Sequence, residues 1–402
     1  MDITVKPSRL RGSIAIIPSK SQAHRLLICA AFADNPTQLI CPETNRDIEA
    51  TADCLTALGA KIIRTETGYT VFPVREIPQN AILNCCESGS TLRFLLPVAG
   101  ALGIDATFLM EGRLPMRPLS PLWEEMERMG CTLTRPTANT IFCSGKLIPG
   151  SYFIDGSVSS QYITGLLLGL SLLEQKSTLD ITGKLESAPY VEMTKEALTL
   201  FGGRPNQLGG ERLHSPGDIT VEGDWSNGAF FVVANALSGS RSTGDSLLLT
   251  GLNMESTQGD RAVVDILQQL AKGMPTISAA DIPDLVPILS VAAAHWHGAV
   301  FTETRRLRLK ESDRVASVIA LITALGGKAD ATENTLTIYG TGLRGGIVDS
   351  FNDHRIAMSA AVAATICKEP VTIRRVECVK KSYPKFFEEY SRLGGNYEQH
   401  LR

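Results

Sequence analysis

What the chain lacks narrows its function before any motif is read. Its 39 basic and 42 acidic side chains leave a net charge of only -3, so it has no broad positive field of the kind that general nucleic-acid or membrane-surface binders need. Any basic site must be local. No apolar run reaches the ~18 residues of a membrane-spanning helix, and no signal peptide is expected. The nine cysteines are odd in number and include no Cys-x-x-Cys pair, which points to reduced core thiols of a cytoplasmic protein rather than a disulfide framework. His295 and His297 flank Trp296, but the neighbouring alanines, glycine and valine offer no third ligand, so no metal is assigned. A low-complexity linker is missing too. Yet 402 residues exceed one ordinary core, so two domains joined by tight crossovers are expected.

What is present is a repeated grammar: a helical pattern, a closing glycine, then a strand-like run. It recurs at residues 51–63, 121–134, 194–205, 263–275, 315–330 and 386–398, and a glycine at a helix end fits a left-handed cap. Residues 159–173 and 353–367 read instead as apolar, buried helices. Six such units in a two-domain chain suggest three α/β modules per domain, with apolar helices inside. Strand-like runs that end in turn residues at 13–20 and 219–225 mark the crossovers. They give one domain of residues 18–221 and a discontinuous second domain of 1–17 plus 222–402.

Polar clusters stand at the helix starts. Lys20, Ser21 and Arg25 open an apolar helix, with His24 among them as a packed neighbour. Gly89, flanked by small hydroxyl residues, opens another, although the loop lacks nucleotide P-loop spacing. Arg113 and Arg117 lie in a proline-rich loop, and Ser159, Ser160 and Gln161 precede the 159–173 helix. Asp284 stands at the mouth of an apolar run. Lys310, Glu311 and Arg314 crowd a helix start near Ser312, His354 and Arg355 another, and Lys381 precedes a Tyr-Pro turn. Taken singly, each cluster reads equally well as an N-cap with solvated cations. Together, the cations of a slightly acidic chain, repeatedly set at helix N-termini, suit a small polyanion bound by both domains.

Ten stretches carry a resemblance: PSKSQAHR, ESGSTLR, LPMRPL, DGSVSSQY, SAPYVEMT, VEGDWSNGAFF, DIPD, LRLKESDR, NDHRIAM and KKSYPKFF. They run in one order from residue 18 to 387, and they resemble the 5-enolpyruvylshikimate-3-phosphate synthase family over essentially the whole chain. The resemblance implies two similar domains, each of three βαβαββ-type repeats with helices packed inside, an inside-out α/β barrel that closes on its substrates. It implies transfer of the enolpyruvyl group of phosphoenolpyruvate to the 5-hydroxyl of shikimate 3-phosphate, with release of phosphate and no metal or organic cofactor. A monomer acting on these small molecules is expected, with no nucleic acid or membrane partner. By the same resemblance, Lys20, Gly89, Arg117, Gln161, Arg314, Arg355 and Lys381 hold phosphoenolpyruvate. Lys20, Ser21, Arg25, Ser159, Ser160, Gln161, Ser187, Asp284 and Lys310 hold shikimate 3-phosphate. Glu311 is the proton donor to the methylene carbon and Asp284 the base for the hydroxyl, with Lys20 and His354 assisting.

The glycine loop departs from the family. It reads Glu87-Ser88-Gly89-Ser90 where Asn-x-Gly-Thr is usual, with Cys86 where glycine is common. An acid beside an anion site calls for a nearby arginine. The sister family that uses UDP-N-acetylglucosamine typically has Lys-Asn where this chain has Lys20-Ser21, and a cysteine in the arginine loop; residues 112–120 contain none.

Overall fold

The computed structural model describes residues 1–239 and 246–400. The chain divides into two compact units, one of Pro18–Glu222 and one of Met1–Ile17 with Gly223–Arg402. Among the described residues, no helix is long and apolar enough to cross a membrane.

In the Pro18–Glu222 unit the plan is plainest from Asn80 to Gly145. Strand Asn80–Asn84, helix Gly89–Leu102, strand Asp105–Leu109 and helix Leu122–Arg128 are followed by the hairpin Cys131–Thr137 and Thr140–Gly145, a βαβαββ module. The first two strands pair in parallel, as a crossover helix requires, and the hairpin adds antiparallel strands to the second. Asn80–Asn84 alternates, with Ala81 and Leu83 inward, as a one-sided sheet does. Helix Gly89–Leu102 has no polar face and is buried almost throughout. It can only sit inside. Ser88 starts it by accepting the Thr91 N–H, and Gly103 ends it at φ 71° in the left-handed region.

A second module uses Lys20–Ala31, Thr37–Ile40, Arg46–Ala57, Lys61–Arg64 and Gly68–Phe72, its first strand, Asp218–Thr220, coming from the far end of the unit. The third, Ser151–Asp155, Ser160–Leu170, Thr178–Thr182 and Ala188–Leu200, keeps its parallel pair but has no closing hairpin among the described residues. Helices Gly89–Leu102 and Ser160–Leu170 touch closely: a Cβ on Gly165 would lie 2.1 Å from the Arg93 carbonyl oxygen. Burial of Ile163, Leu166, Leu167, Leu168 and Leu170 contributes a gross ~8–15 kcal/mol, an upper estimate.

The other unit repeats the plan. Thr276–Ser278, Val286–His295, Gly298–Thr302, Arg314–Ala324, Lys328–Ala331 and Thr335–Tyr339 form one full module. Gly346–Asp349, His354–Ala364, Val371–Arg374, Phe386–Arg392 and Asn396–His400 form the next. Its missing strand is Asp2–Lys6, which lies between Val371–Arg374 and Asn396–His400. Gly12–Ala15, Trp225–Leu237, Leu247–Thr250 and Val263–Leu270 make the shortened module.

The expected helix-glycine-strand grammar therefore holds at five of its six positions, 194–205 being the exception. The helices at 194–205 and 263–275 belong to the shortened modules. After the first the chain runs into glycine- and proline-rich residues, and after the second the strand Thr276–Ser278 opens the next module. The helix expected to start near Ser312 starts at Arg314, because Asp313 caps it and the Ser312 hydroxyl donates to Asp353 instead. In each unit three helices are buried nearly all round, and their N-termini carry most of the candidate residues.

Candidate active site

In the Pro18–Glu222 unit, Ser19 caps the first buried helix and places Lys20 at its opening turn. Lys20 Nζ donates to Asp47 Oδ2 at 3.0 Å, in the first turn of the neighbouring helix. Gly89 opens the second buried helix, and a Cβ there would lie 2.6 Å from Arg93 Nη1 and 2.7 Å from Arg117 Nη1. A side chain there would have to push both guanidiniums off that helix start. Ser159 caps the third buried helix, with Ser160 buried behind it, and the Gln161 side-chain amide donates to Ser90 Oγ at 3.0 Å, tying the third start to the second. Ser187 is buried at φ 58°, just ahead of helix Ala188–Leu200.

Arg25 stands apart from this set. It is 2% exposed, and it donates to Thr194 Oγ1, Thr164 Oγ1 and the carbonyls of Ser21 and Tyr190 while lying over the Phe94 ring. Burial lowers its pKa to about 10, against the ordinary 12.5. Four of its five N–H donors are engaged by these contacts, the fifth being on Nη1.

The glycine loop and the arginine loop interlock. Glu111 N–H donates to the Cys86 carbonyl at 2.8 Å, and Arg113 N–H to Glu87 Oε1 at 3.4 Å. Glu87 lies so close over Gly112 that a Cβ there would come within 1.4 Å of its Oε1. Glu87 thus reaches Arg113 through that residue's main chain. Cys86 sits at φ 48°, a left-handed conformation that costs an ordinary side chain about 1–2 kcal/mol.

In the other unit one guanidinium organises the acids. Arg314 is 1% exposed; its Nε donates to Asp353 Oδ2 at 3.0 Å, Nη2 to Glu311 Oε2 at 2.7 Å, and Nη1 to Asp284 Oδ1 and the Pro283 carbonyl. Asp284 Oδ2 accepts from Arg355 Nη2 at 2.8 Å. Asp284 therefore bridges two buried arginines and does not cap the helix it precedes. Burial opposes its charge, but Arg355 and Arg314, aided by Lys310, hold its carboxyl well below the usual carboxylate range. Burial in turn lowers Lys310 to about 8, with Asp284 opposing. His354 and Arg355 begin the helix that Asp353 caps. Asp260, bonded to the Ser226 hydroxyl, is pushed up to about 7 by burial and by Asp284. Lys381 ends the short 3-10 helix Val376–Lys381.

The structure thus brings Asp284, Glu311, Arg314 and Arg355 into one hydrogen-bonded chain, and Lys310 into its field. In the first unit Gly89 and Arg117 meet, and Gln161 joins them through Ser90. The sequence reading did not pick out Asp47, Arg93, Asp353 or Asp260. Arg93 and Asp353 stand inside quoted motifs, and Asp47 sits two residues after the capping Asn45, so each had a local signal. Asp260 had none. Such groups can gather phosphates and carboxylates on cations and then hand protons between carboxylates and a neutral hydroxyl.

Comparison with known proteins agrees with this chemistry. The family model of EPSP synthase (3-phosphoshikimate 1-carboxyvinyltransferase) matches residues 4–390. A 3-phosphoshikimate 1-carboxyvinyltransferase of Clostridium kluyveri is 35% identical across 99% of this chain and 98% of its own length. That of Clostridium beijerinckii is 34% identical, with the same coverage. Among solved structures, an EPSP synthase from Acinetobacter baumannii superposes with a TM-score of 0.80 at 23% identity, covering 99% of this chain and 100% of that one. The enolpyruvyl transferase NikO from Streptomyces tendae gives 0.75 at 17%, covering 100% and 99%. At such identities these two speak for the shared fold.

Proposed function

The chain belongs to the EPSP synthase family, the 3-phosphoshikimate 1-carboxyvinyltransferases, and we propose that the residues described above carry its reaction in the roles that follow. It is an enolpyruvyl transferase of the shikimate pathway, moving the enolpyruvyl group of phosphoenolpyruvate to the 5-hydroxyl of shikimate 3-phosphate and releasing phosphate. Its substrates are small molecules. We take it to act on them as a monomer in the cytoplasm.

The observation that carries the assignment of roles is the Asp284 carboxylate shared by Arg314 and Arg355. Phosphoenolpyruvate brings a carboxylate and a phosphate, each able to compete for those guanidiniums. When ligand oxygens take over part of the arginine hydrogen bonding, Asp284 is released from two cations at once and becomes a competent proton acceptor. Glu311, which leans on the same Arg314, is freed by the same event to carry a proton. Arrival of the substrate thus arms both acids.

The step follows from these positions. Glu311 gives a proton to the methylene carbon of phosphoenolpyruvate while the 5-hydroxyl oxygen of shikimate 3-phosphate bonds to the adjacent carbon, its proton passing to Asp284. The resulting tetrahedral adduct loses phosphate by cleavage of its C–O bond, and the methyl group returns a proton to the Glu311 carboxylate, which restores the double bond and the acid. Lys20 balances charge on the bridging oxygen. Arg117, Gly89, Gln161, Arg314, Arg355 and Lys381 hold phosphoenolpyruvate. Ser21, Arg25, Ser159, Ser160, Gln161, Ser187, Lys310, Asp284 and Lys20 hold shikimate 3-phosphate, Arg25 also bracing the helix start through Thr164 and Thr194. His354 assists proton movement. The test is phosphate release by the purified protein: turnover that requires both substrates supports the reading, and tight binding of both without release overturns it.

A further inference from the structure

Beneath the helix starts of the Pro18–Glu222 unit runs a line of polar side chains that the reaction above does not use. His24 Nδ1 lies 2.7 Å from Thr51 Oγ1, Thr51 Oγ1 lies 2.7 Å from Thr91 Oγ1, and Thr91 Oγ1 lies 2.7 Å from Ser88 Oγ. All four residues are fully buried. They come from the helix that Lys20 opens, the helix that carries Asp47, and the helix that Gly89 opens together with its cap. A longer contact, 3.4 Å, runs from the Thr91 hydroxyl to the Asp47 carbonyl, so the partner of Lys20 joins the same node.

The line has a direction. Ser88 Oγ accepts the Thr91 N–H at 3.2 Å and the Thr91 hydroxyl at 2.7 Å. With its proton committed there, the Thr91 oxygen accepts from Thr51, and the Thr51 oxygen accepts from His24. His24 is therefore the neutral tautomer with its proton on Nδ1. Nε2 is buried with no hydrogen-bond partner, and the ring stands edge-on to Phe94 with centroids 6.2 Å apart. Burial holds the ring neutral, lowering it from 6.5 to about 3; Asp47 opposes this, while Lys20 and Arg25 add to it. Across the working range of pH, His24 is thus a fixed single donor.

We propose that His24 is a positioning residue for phosphoenolpyruvate: by donating into the Thr51-Thr91-Ser88 hydroxyl line it sets the register between the helix start that carries Lys20 and the one that carries Gly89. The inference rests on the reading that Lys20 and Gly89 hold that substrate. Because the links are in series, loss of any one frees the hydroxyls beyond it to turn, and the Ser88 cap loses its fixed orientation. A small displacement there moves the glycine loop against Lys20, and misplacement by an ångström is enough to cost up to about 100-fold in rate.

The test uses the full-length protein. Thr51→Val and Thr91→Val each exchange a hydroxyl for a methyl of similar size, and His24→Leu removes the donor. Each should raise KM for phosphoenolpyruvate about 10-fold while leaving KM for shikimate 3-phosphate within about 2-fold. The Thr51→Val/Thr91→Val double variant should also lose about 10-fold, not about 100-fold, as links in series require. His24→Asn, whose amide nitrogen can stand where Nδ1 does, should restore KM to near the parent value. Nitrogen-15 NMR of the intact protein should find His24 protonated at Nδ1 alone from pH 5 to 9. Multiplicative losses, equal rises in both KM values, or a proton on Nε2 would each overturn the proposal. Gly89→Ala separates the two readings: if it raises KM for phosphoenolpyruvate and Thr51→Val does not, only the His24 proposal falls. If Gly89→Ala changes nothing, the substrate assignment falls with it.

Discussion

Replacing Asp284 by asparagine tests the arginine pair directly, because it removes one charge with almost no change of shape. Arg314 is 1% and Arg355 3% exposed, and Asp284 accepts from both. Breaking a buried ion pair from one side typically costs ~3–5 kcal/mol. The Asp284 side chain is 21% exposed, and an amide keeps one accepting oxygen, so we expect a loss at the lower end, ~3 kcal/mol. At ~2–4 °C per kcal/mol for domains of about this size, the melting temperature at pH 7 should fall by roughly 6–12 °C. The sign with pH follows from the shift. The carboxyl is held below its ordinary 3.8 in the folded protein, so its stabilisation is fully present above that value and drains away as pH falls below it. The gap between parent and variant should be constant from neutral pH down to about pH 5 and narrow below about pH 4. Adding phosphoenolpyruvate should raise the melting temperature of the variant, since ligand anions supply the charge that was removed. Calorimetry across pH checks all three. A variant as stable as the parent at pH 7, or a gap that widens in acid, would refute the view that Asp284 is clamped by its arginines.

Other expectations follow from the same geometry. Glu311→Gln should cut turnover about 100-fold or more while substrate dissociation constants, read by calorimetric titration, stay within a few-fold. Gly112→Ala should weaken phosphoenolpyruvate binding, because its Cβ would strike Glu87. Combining it with Glu87→Ala should recover part of the loss, which steady-state KM values would reveal; the remainder reflects the positive φ of 55° at Gly112. Cys86→Gly should stabilise the protein by about 0.5 kcal/mol, since release of ~1–2 kcal/mol of left-handed strain is partly offset by the greater freedom of glycine in the unfolded chain. Denaturant midpoints would show it.

Much of this was legible in the sequence, because the same physics writes both. The all-apolar character of residues 159–173 and 353–367 placed those helices inside, and each is buried almost completely. Capping chemistry placed the polar residues at helix starts. What escaped was whatever depended on a distant partner. Nothing local marks Asp260 as a neighbour of Asp284, since its environment is set by chain folded back from residues 226, 284 and 355. Nor does anything beside Arg25 in the chain announce its contacts with Thr164 and Thr194, one more turn of helix beyond Lys20. The missing hairpins of the shortened modules had a faint signal in the glycines and prolines of residues 201–217.

The placement of Asp2–Lys6 between Val371–Arg374 and Asn396–His400 fixes an order of assembly. The Pro18–Glu222 unit is continuous and holds all its own strands. On a ribosome it can finish folding while the other unit is still being made. Strand Asp2–Lys6 must then wait until Val371–Arg374 and Asn396–His400 have been made before its neighbours exist. Closing a loop about ten times longer than a within-module pairing costs only ~2 kcal/mol more, so the arrangement weighs little on final stability. It weighs on time: that sheet is the last to form, and until it does Ile3 and Val5 have no core to enter.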